Sequence, residues 1–297
     1  FQSIMNIEIL NETRALKIDR HKKTVRVQEV ADHSEYDLEY DYLILSTGSK
    51  PYIPDVPGIN EEGIYTLHSL EDAERIKKEF AKPHAQDVFI VGAGLIGISS
   101  AEAFTQIGKR VTILEKQSDI LGNLVDRDLA EGLQNELQRA GIKVITKSVL
   151  KEVQKQDGSL SIVTNRGKFN ADLIIISAGV IPNVELASEA GLALGPSGGI
   201  QVNKQLQTSD ESIYAIGDCA ESINGKHEYW HLGSISTKMG RVAADNIAGL
   251  QSEFLGSLGT VLFKISDINV AGTGLTTRNA LKDNIEIETA ICTGFDK

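Results

Sequence analysis

Short apolar runs alternate with segments of helical periodicity along most of this chain. The apolar runs are four or five residues long and nearly continuous, which indicates strands buried on both faces. They occupy residues 42–45, 88–91, 111–114, 172–176 and 213–216. Helical periodicity occupies residues 70–80, 98–107, 126–140 and 232–249. Strands that alternate with helices predict an α/β protein built on parallel sheets.

Other parts of the chain are more polar. Residues 7–10, 14–18 and 24–30 carry charged, alternating strand patterns, which are typical of an antiparallel meander with one solvated face. Further strands are expected at residues 142–146, 149–154, 160–164, 261–265, 268–271 and 285–291, and a short helical turn at residues 277–282.

Two of the helices carry local signals of their own. Ser69 precedes the first helix, and its hydroxyl can accept a hydrogen bond from a free N–H group of the first turn. It is therefore the expected N-cap. In the helix at residues 126–140, Leu129, Leu133 and Leu137 recur every four residues, and we expect this stripe to face the core.

A glycine-rich turn directly follows the strand at residues 88–91. Its sequence, VGAGLIG, matches G-x-G-x-x-G and leads into the helix at residues 98–107. A second apolar strand, residues 111–114, then ends at Glu115. Strand, glycine turn, helix, strand and acidic residue together form the βαβ unit that binds adenine dinucleotides. The alternative is a glycine turn that binds nothing, which explains the glycines but not the acidic residue.

Each residue type in this unit has a physical role. Gly92 permits a tight turn, Gly94 lets the backbone approach a pyrophosphate at the helix N-terminus, and Gly97 lets the helix pack close to the strand. Glu115 can accept hydrogen bonds from both hydroxyls of the adenosine ribose, and its charge would repel a 2′-phosphate. NADH is therefore expected in preference to NADPH, although the neighbouring Lys116 weakens that preference.

Three further strand ends carry small or polar residues. They are STGS at residues 46–49, SAGV at residues 177–180 and GDCA at residues 217–220. Ligands of open α/β sheets bind at the carboxyl ends of strands, so Thr47 and Gly48 lie at an expected ligand edge. A plain strand-to-loop turn is the alternative there. Asp218 can accept a hydrogen bond from a ligand hydroxyl, or else it forms an Asx-turn or a helix cap.

Composition narrows the classes of function. The chain has 297 residues, of which 41% are hydrophobic and 24% charged, enough for about two globular domains. A formal net charge of -11 and a pI near 5.1 argue against nucleic-acid partners and anionic membranes. No apolar run approaches the roughly 20 residues of a membrane span.

Cysteine and histidine usage adds to this. Cys219 and Cys292 lie far apart and outside any C-x-x-C motif, which indicates a reducing, cytoplasmic location and excludes a disulfide framework or a structural zinc site. Both are expected to be buried small residues. The histidines show no ligand spacing, so no metal site is expected. His231 lies beside the helix start at residue 232, where it either approaches a ligand or is an ordinary packed or surface residue.

Ordered motifs give the chain a family resemblance. The segments YDYLILSTGSKP, VGAGLIG with LEK, SAGVIPN, YAIGDCA and LGSISTKMGR follow one another here. In this order they resemble the flavin- and NAD-dependent disulfide reductase superfamily over nearly the whole chain. TVLFKISDINVAGTGL is similar to the start of the dimerisation domain in one branch, that of NADH oxidase, NADH peroxidase and coenzyme A disulfide reductase.

The resemblance implies an architecture and a set of partners. Two Rossmann-like three-layer domains are expected, with the NAD domain inserted in the FAD domain, followed by the start of an α+β dimerisation domain. The implied segments are 1–62 and 184–250 for FAD, 63–183 for NAD and 251–297 for dimerisation. The implied cofactors are FAD and NAD, and the implied partners are NADH and a small-molecule electron acceptor. The full-length protein is expected to be a homodimer, without nucleic-acid or membrane partners.

The resemblance also assigns candidate binding residues. It implies contacts to FAD from Ala15, Thr47, Gly48, Asp218, Leu232, Gly233 and Ser234. It implies contacts to NADH from Gly92, Gly94, Leu95, Ile96, Gly97, Glu115 and Lys116, with Gly179 lining the nicotinamide path. No catalytic residue is expected within this chain, because the redox cysteine and the FAD pyrophosphate loop are implied upstream of Phe1. Ser99 stands where the family commonly has a glutamate, so the usual lysine–glutamate pair is not expected.

The function that these features favour is an FAD-dependent NADH oxidoreductase. Hydride would pass from NADH to the flavin and on to dioxygen, a peroxide or a coenzyme A disulfide. The alternative is a non-catalytic NADH-binding module or scaffold.

Overall fold

The structure is a computed structural model that describes residues 6–82, 85–156, 158–222 and 231–294. The chain folds into two compact units. The flanking unit comprises Phe1–Ser49 and Pro182–Ser257, and the central unit comprises Lys50–Ile181 and Leu258–Lys297. The first part of the central unit is thus inserted in the sequence of the flanking unit. The domain boundaries given by the family resemblance stay predictions.

The strands are β1 (Thr13–Asp19), β2 (Thr24–Glu29), β3 (Glu35–Glu39), β4 (Leu43–Leu45), β5 (Ser49–Pro51), β6 (Ile64–Thr66), β7 (Asp87–Val91), β8 (Arg110–Leu114), β9 (Lys143–Ile145), β10 (Leu150–Gln156), β11 (Ser159–Thr164), β12 (Gly167–Ala171), β13 (Leu173–Ile176), β14 (Val180–Pro182), β15 (Ile200–Val202), β16 (Ile213–Ala215), β17 (Ala220–Ser222), β18 (Val261–Ile265) and β19 (Ile268–Gly272). The helices are α1 (Leu70–Phe80), α2 (Leu95–Gln106), α3 (Arg127–Arg139), α4 (Glu185–Glu189), α5 (Gly233–Ile247) and α6 (Thr277–Lys282), with a 3-10 turn at Gly217–Cys219.

A five-stranded parallel sheet forms the middle layer of the central unit, in the order β6-β13-β7-β8-β9. Its side chains alternate between two cores, as the pleat requires. Val88 and Ile90 of β7 join the core that contains residues of α1, α2 and α3. Phe89 and Val91 join the core that contains residues of the antiparallel sheet β10-β11-β12. Helices, parallel sheet and antiparallel sheet therefore form three layers, and the α/β fold class is confirmed.

The β18–β19 hairpin adds to the helical side of the central unit. Ile265 and Val270 of this hairpin are buried in the same core as α2 and α3. The backbone N–H of Ser266 donates to a carboxylate oxygen of Glu102 in α2. The hairpin is thus part of this unit's core, although it lies far from the parallel sheet in the sequence.

The flanking unit combines several smaller sheets around one core. Strands β1, β2 and β3 form an antiparallel meander, whereas β4 pairs with β16 and β15 with β17 in parallel. Helix α5 contributes Ile235, Met239 and Ala243 to the core of this unit.

Two predicted strands are wrong. Residues 7–10 and 285–291 form no strand, and the meander takes its third strand from Glu35–Glu39 instead. Ile7, Ile9 and Leu10 are exposed, as are Ile285 and Ile291. An apolar run becomes a strand only where a neighbouring strand completes its hydrogen bonds, which the sequence of the run does not show.

The helix predictions are more accurate. Ser69 is the N-cap of α1, and it forms a capping box with Asp72. In α3, Leu133 and Leu137 are buried with Ala130, but Leu129 is 57% exposed, so its predicted core position is wrong. Successive residues of an α-helix rotate by about 100°, so a four-residue step drifts by about 40° and leaves Leu129 beyond the buried face.

Among the described residues, the structure contains no helix with the length and apolar character needed to span a membrane.

Candidate functional site

The glycine-rich turn lies where the strand order of the parallel sheet reverses. After β7 the chain continues to β8 and β9 on one side, while β13 lies on the other side of β7. The turn at residues 92–94 and the loop that follows β13 therefore begin side by side, at the carboxyl ends of two neighbouring parallel strands. In open α/β sheets, such a switch point leaves a crevice outside the carboxyl ends of the strands, where ligands bind.

Gly92 and Gly97 close the base of this crevice. Gly92 has φ = +112°, and a Cβ there would collide with the carbonyl oxygen of Ser177. A Cβ on Gly97 would collide with the carbonyl oxygen of Gly92 and lie 2.7 Å from Ser177 Oγ. Both glycines therefore permit a close approach of backbone segments, which confirms the tight turn and the close helix packing.

Gly94 differs from these two glycines. It is exposed, it is the N-cap of α2, and a Cβ built on it meets no atom within 4 Å. The glycine therefore keeps space open above the first turn of α2, where free backbone N–H groups and the helix dipole favour an anionic group. Leu95 and Ile96 lie in this first turn, because α2 begins three residues earlier than the sequence indicated.

Glu115 joins the glycine turn to the end of β8. Its Oε2 accepts a hydrogen bond from the backbone N–H of Ala93 at 2.7 Å, and its Oε1 accepts one from the backbone N–H of Gln117 at 2.7 Å. Each carboxylate oxygen has further lone pairs for a ligand hydroxyl. An open helix N-terminus beside a half-buried, oriented carboxylate fits the pyrophosphate and the ribose of an adenine dinucleotide.

Lys116 and Gly179 are the remaining residues predicted to contact NADH. Lys116 is exposed directly after Glu115. Gly179 follows β13 with φ = +113°, and its carbonyl oxygen accepts a hydrogen bond from the backbone N–H of Tyr52 at 2.9 Å. Ser99 lies on the exposed face of α2.

In the flanking unit, Thr47 and Gly48 are bound to Asn183. Thr47 Oγ1 donates to the Asn183 carbonyl at 2.6 Å, and Asn183 Nδ2 donates to the Thr47 carbonyl at 2.9 Å. The backbone N–H of Asn183 donates to the Gly48 carbonyl at 2.9 Å. Gly48 has φ = +66°, with open space where a Cβ would be. Thr47 and Gly48 are thus held in one conformation at the end of β4.

We expect Asn183→Ala to lower the free energy of unfolding by about 1 kcal/mol, because it removes the side-chain hydrogen bond that orients Thr47. Urea denaturation followed by circular dichroism measures this. Asn170→Ala, at an exposed strand position, is the matched control, with an expected change within about 0.5 kcal/mol. Equal midpoints for Asn183→Ala and the unchanged chain would contradict the expectation.

Asp218 lies in the 3-10 turn after β16. One of its carboxylate oxygens accepts a hydrogen bond from Ser49 Oγ at 2.9 Å, and Ser49 is buried. Desolvation lowers the pKa of His231, while the negative charge of Asp218 acts in the opposite direction. The side chain of His231 is partly exposed, one residue before the N-cap of α5, and its contact with a ligand stays a prediction.

Three predicted FAD residues lie at the start of α5, and one lies in the meander. Leu232 is the N-cap, and Gly233 and Ser234 are exposed in the first turn. Ala15 is exposed in β1, where the pairing with β2 is shifted between Ala15 and Lys17. Whether these residues contact FAD stays a prediction.

The two cysteines have different environments. Cys219 is completely buried beside the carbonyl oxygens of Leu45 and Ile216, so its interpretation as a buried small residue is confirmed. Cys292 is exposed, so the same prediction is wrong there. The final segment lacks the strand pairing that would have covered it, as described for residues 285–291.

Comparison with known proteins supports the same interpretation. The model of one family, "Pyridine nucleotide-disulphide oxidoreductase", matches residues 2–240. The chain belongs to this family. Members of the family are enzymes that use FAD and NAD(P)H, so the expected cofactors and enzyme class are confirmed at the level of the family.

Similar proteins of this family carry two kinds of name. The chain is 36% identical over 269 residues to an NAD(P)H sulfur oxidoreductase (CoA-dependent) of Pyrococcus abyssi, a match that covers 90% of the chain and 60% of the relative. It is also 34% identical over 285 residues to an NADH oxidase of Methanocaldococcus jannaschii. That match covers 95% of the chain and 63% of the relative. The chain thus spans less than two thirds of these relatives.

Solved structures resemble the chain over almost its whole length. An NAD-dependent persulfide reductase from A. fulgidus is 37% identical with a TM-score of 0.91, and the match covers 96% of the chain and 53% of that structure. The cytoplasmic location and the homodimer expected from the sequence stay predictions.

Several residues of the site were not identified from the sequence. Ala93, Ser177, Asn183 and Gln117 support the predicted binding residues mainly through backbone groups or through partners far away in the sequence. Ala93 lies within the VGAGLIG motif, and Ser177 and Asn183 begin and end the SAGVIPN motif, so the motifs gave a signal for these three but not for Gln117. Main-chain contacts leave little trace in residue type, because every residue except proline carries the same donor and acceptor.

Proposed function

We propose that this protein is an FAD-dependent NADH oxidoreductase. When bound, FAD supplies the redox chemistry, because it takes up hydride from the nicotinamide and passes the electrons on to a small acceptor. The residues of this chain bind and orient the two cofactors. Relatives named NADH oxidase and NAD(P)H sulfur oxidoreductase (CoA-dependent) support an NADH-dependent oxidoreductase. The candidate acceptors are dioxygen, a peroxide and a coenzyme A disulfide.

The observation that carries the proposal is the position of the Glu115 carboxylate. It lies at the switch point of a parallel sheet and is oriented by the backbone N–H groups of Ala93 and Gln117. Both groups bind the carboxylate oxygens and thereby hold its charge in place. A fixed negative charge at this point favours ribose hydroxyls and disfavours a 2′-phosphate, which supports NADH as the nucleotide.

The flanking unit supplies the residues proposed to contact FAD. Thr47 and Gly48 are held by Asn183, and Asp218 is held by Ser49. The Asp218 carboxylate lies directly after β16, at the carboxyl end of a parallel strand, where a ligand hydroxyl can meet it. We propose that this hydroxyl belongs to the ribityl chain of FAD.

Anaerobic mixing with NADH tests the proposal. The full-length protein is loaded with FAD and mixed rapidly with NADH in the absence of oxygen, and the flavin absorption is followed. We expect NADH to bleach the flavin within one turnover. A flavin-loaded protein whose absorption is unchanged by saturating NADH would refute the oxidoreductase. A full-length protein that stays colourless after FAD addition would favour the alternative, a non-catalytic NADH-binding module, which no feature of the described residues now favours.

The acceptor is identified by a second mixing step. The reduced protein is offered dioxygen, hydrogen peroxide or coenzyme A disulfide in separate experiments, and the return of flavin absorption is timed. The acceptor that restores the absorption fastest at equal concentration is the proposed substrate.

A graded change at Gly94 tests the pyrophosphate contact. We expect Gly94→Ala to raise the NADH dissociation constant by about tenfold and Gly94→Val to raise it further, since each added carbon occupies the open space above the turn. The loss of stability in Gly94→Ala should stay within about 1 kcal/mol, the usual effect of alanine at an N-cap. Isothermal titration calorimetry measures the affinity. If Gly94→Val binds NADH as tightly as the unchanged chain, the pyrophosphate does not bind at this turn.

A further inference from the structure

Arg278 in α6 is bound to the loop that follows Glu115. Its guanidinium group donates hydrogen bonds to Gln117 Oε1 and, at 3.3 Å, to Ser118 Oγ, and it forms an ion pair with the carboxylate of Asp119. These three consecutive residues connect Glu115 to α3. A single side chain from the end of the central unit therefore holds the loop at three neighbouring points.

The ion pair with Asp119 is the main anchor of this contact. The Asp119 side chain is only 7% exposed, so its charge requires a close partner. Arg127 approaches the other carboxylate oxygen at 3.8 Å, but its side chain is 74% exposed and also pairs with Glu131. A solvent-exposed pair at that distance contributes little, which leaves Arg278 as the principal counter-ion.

Gln117 connects this anchor to the proposed nucleotide site. Its side chain accepts from Arg278, while its backbone N–H donates to Glu115 Oε1 at 2.7 Å. The other oxygen of Glu115 is held by the backbone N–H of Ala93, and the Ala93 carbonyl accepts from the backbone N–H of Leu121 at 3.0 Å. The loop and the glycine turn are thus joined in one hydrogen-bonded network.

Gly122 shows how closely the guanidinium group of Arg278 lies against the loop. A Cβ at this position would collide with Nη1 of Arg278 and lie 3.0 Å from Gln117 Oε1. The guanidinium group therefore lies directly against the backbone of the loop. Any residue with a side chain at position 122 would displace it.

We propose that Arg278 is a positioning residue for the nucleotide site, and that it fixes the loop so that Glu115 faces the adenosine ribose. This inference rests on the proposed function, because it assigns a further determinant of NADH affinity and of the preference for NADH over NADPH. Arg278 acts through Gln117 and Glu115.

Binding measurements on the chain test this role. We expect Arg278→Gln to raise the NADH dissociation constant by about tenfold, as measured by calorimetry. The NADPH dissociation constant should change much less, so the preference for NADH over NADPH becomes smaller. Arg278→Lys should recover part of the affinity, because lysine can pair with Asp119 but lacks the fork that reaches Gln117 and Ser118 as well. Arg127→Gln, which changes the more distant partner of Asp119, is the matched control with wild-type affinity expected.

A double-mutant cycle separates positioning from a general structural role. In a Glu115→Ala background, Arg278→Gln should change the NADH dissociation constant by less than about twofold, because the group on which it acts is gone. A tenfold effect in both backgrounds, or no effect in either, would overturn the proposal. If Arg278→Gln fails to fold, Gly122→Ala is used in its place in the cycle, because the added Cβ displaces the same guanidinium group.

Hydrogen exchange supplies a readout that needs no nucleotide. The amide of Gln117 should exchange faster in Arg278→Gln than in the unchanged chain, whereas Arg127→Gln should leave it unchanged. If the unchanged chain binds no NADH, the proposed function is wrong. The exchange rate of the Gln117 amide then still tests whether Arg278 holds the loop. An unchanged Gln117 amide would overturn the positioning role even if NADH binds as expected.

Discussion

Gly97→Ala is expected to lower the free energy of unfolding by about 3 kcal/mol, at the upper end of the usual cost of overpacking. The added Cβ would collide with the carbonyl oxygen of Gly92 and crowd Ser177 Oγ. The Gly92 carbonyl belongs to backbone that is hydrogen-bonded to the end of β8, so it cannot easily yield, whereas Ser177 Oγ can rotate away. Helix α2 must move away from β7 and β13. Urea denaturation followed by circular dichroism measures the change, and NADH affinity should fall with it.

Gly132→Ala is the matched control for this prediction. Gly132 lies at an exposed position within α3, and a Cβ there meets no atom within 4 Å. The same substitution should therefore stabilise the chain by about 0.5–1 kcal/mol through higher helix propensity. The two variants are expected to differ in sign. A Gly97→Ala variant as stable as Gly132→Ala would show that the helix is not packed against the glycine turn as described.

Glu115→Ala is expected to raise the NADH dissociation constant by about 30-fold, which corresponds to about 2 kcal/mol of lost hydrogen bonding to a charged acceptor. The substitution also leaves the backbone N–H groups of Ala93 and Gln117 without their acceptor. Binding of NADPH should weaken less, because the repulsion of the 2′-phosphate disappears as well. Calorimetry with both nucleotides gives the two constants.

Two further variants sharpen this test. Glu115→Gln keeps an acceptor oxygen but removes the charge, so it should relax the discrimination against NADPH with a smaller loss of NADH affinity. Glu136→Ala removes a carboxylate that pairs with the exposed Arg139 in α3 and should change neither constant. An unchanged preference for NADH in Glu115→Ala would mean that a group other than Glu115 distinguishes the ribose hydroxyl of NADH from the 2′-phosphate of NADPH.

The sequence was most accurate where a single local segment fixes the geometry. The close backbone contacts at Gly92 and Gly97 and the place of Glu115 after β8 were predicted correctly, because the spacing within strand, turn and helix decides which backbone atoms approach each other. Nucleotide binding by these residues stays a prediction. The start of α5 at Leu232–Gly233 and the N-cap at Ser69 were correct for the same reason. Each of these features depends on residues within a few positions of one another.

Prediction from the sequence was less accurate where the burial of a residue depends on a strand or layer that is distant in the sequence. The apolar runs at residues 7–10 and 285–291 have strand composition but form no strand in the structure, and Cys292, which directly follows the second run, is exposed. Leu129 has the same residue type as Leu133, yet only the neighbouring layer determines which face of α3 is covered. Residue type predicts the tendency to be buried and not the presence of a covering layer.

The sequence by itself determined the α/β class, the glycine turn and the acidic residue at the end of the next strand. Only the tertiary structure decided which distant groups hold them: Ser177 against Gly92, Asn183 against Thr47, and Arg278 against Asp119. The physical reason is the distance along the sequence over which each interaction acts. Turn geometry and helix periodicity act over a few residues, whereas these contacts join segments more than 80 positions apart, and their formation depends on the packing of whole layers.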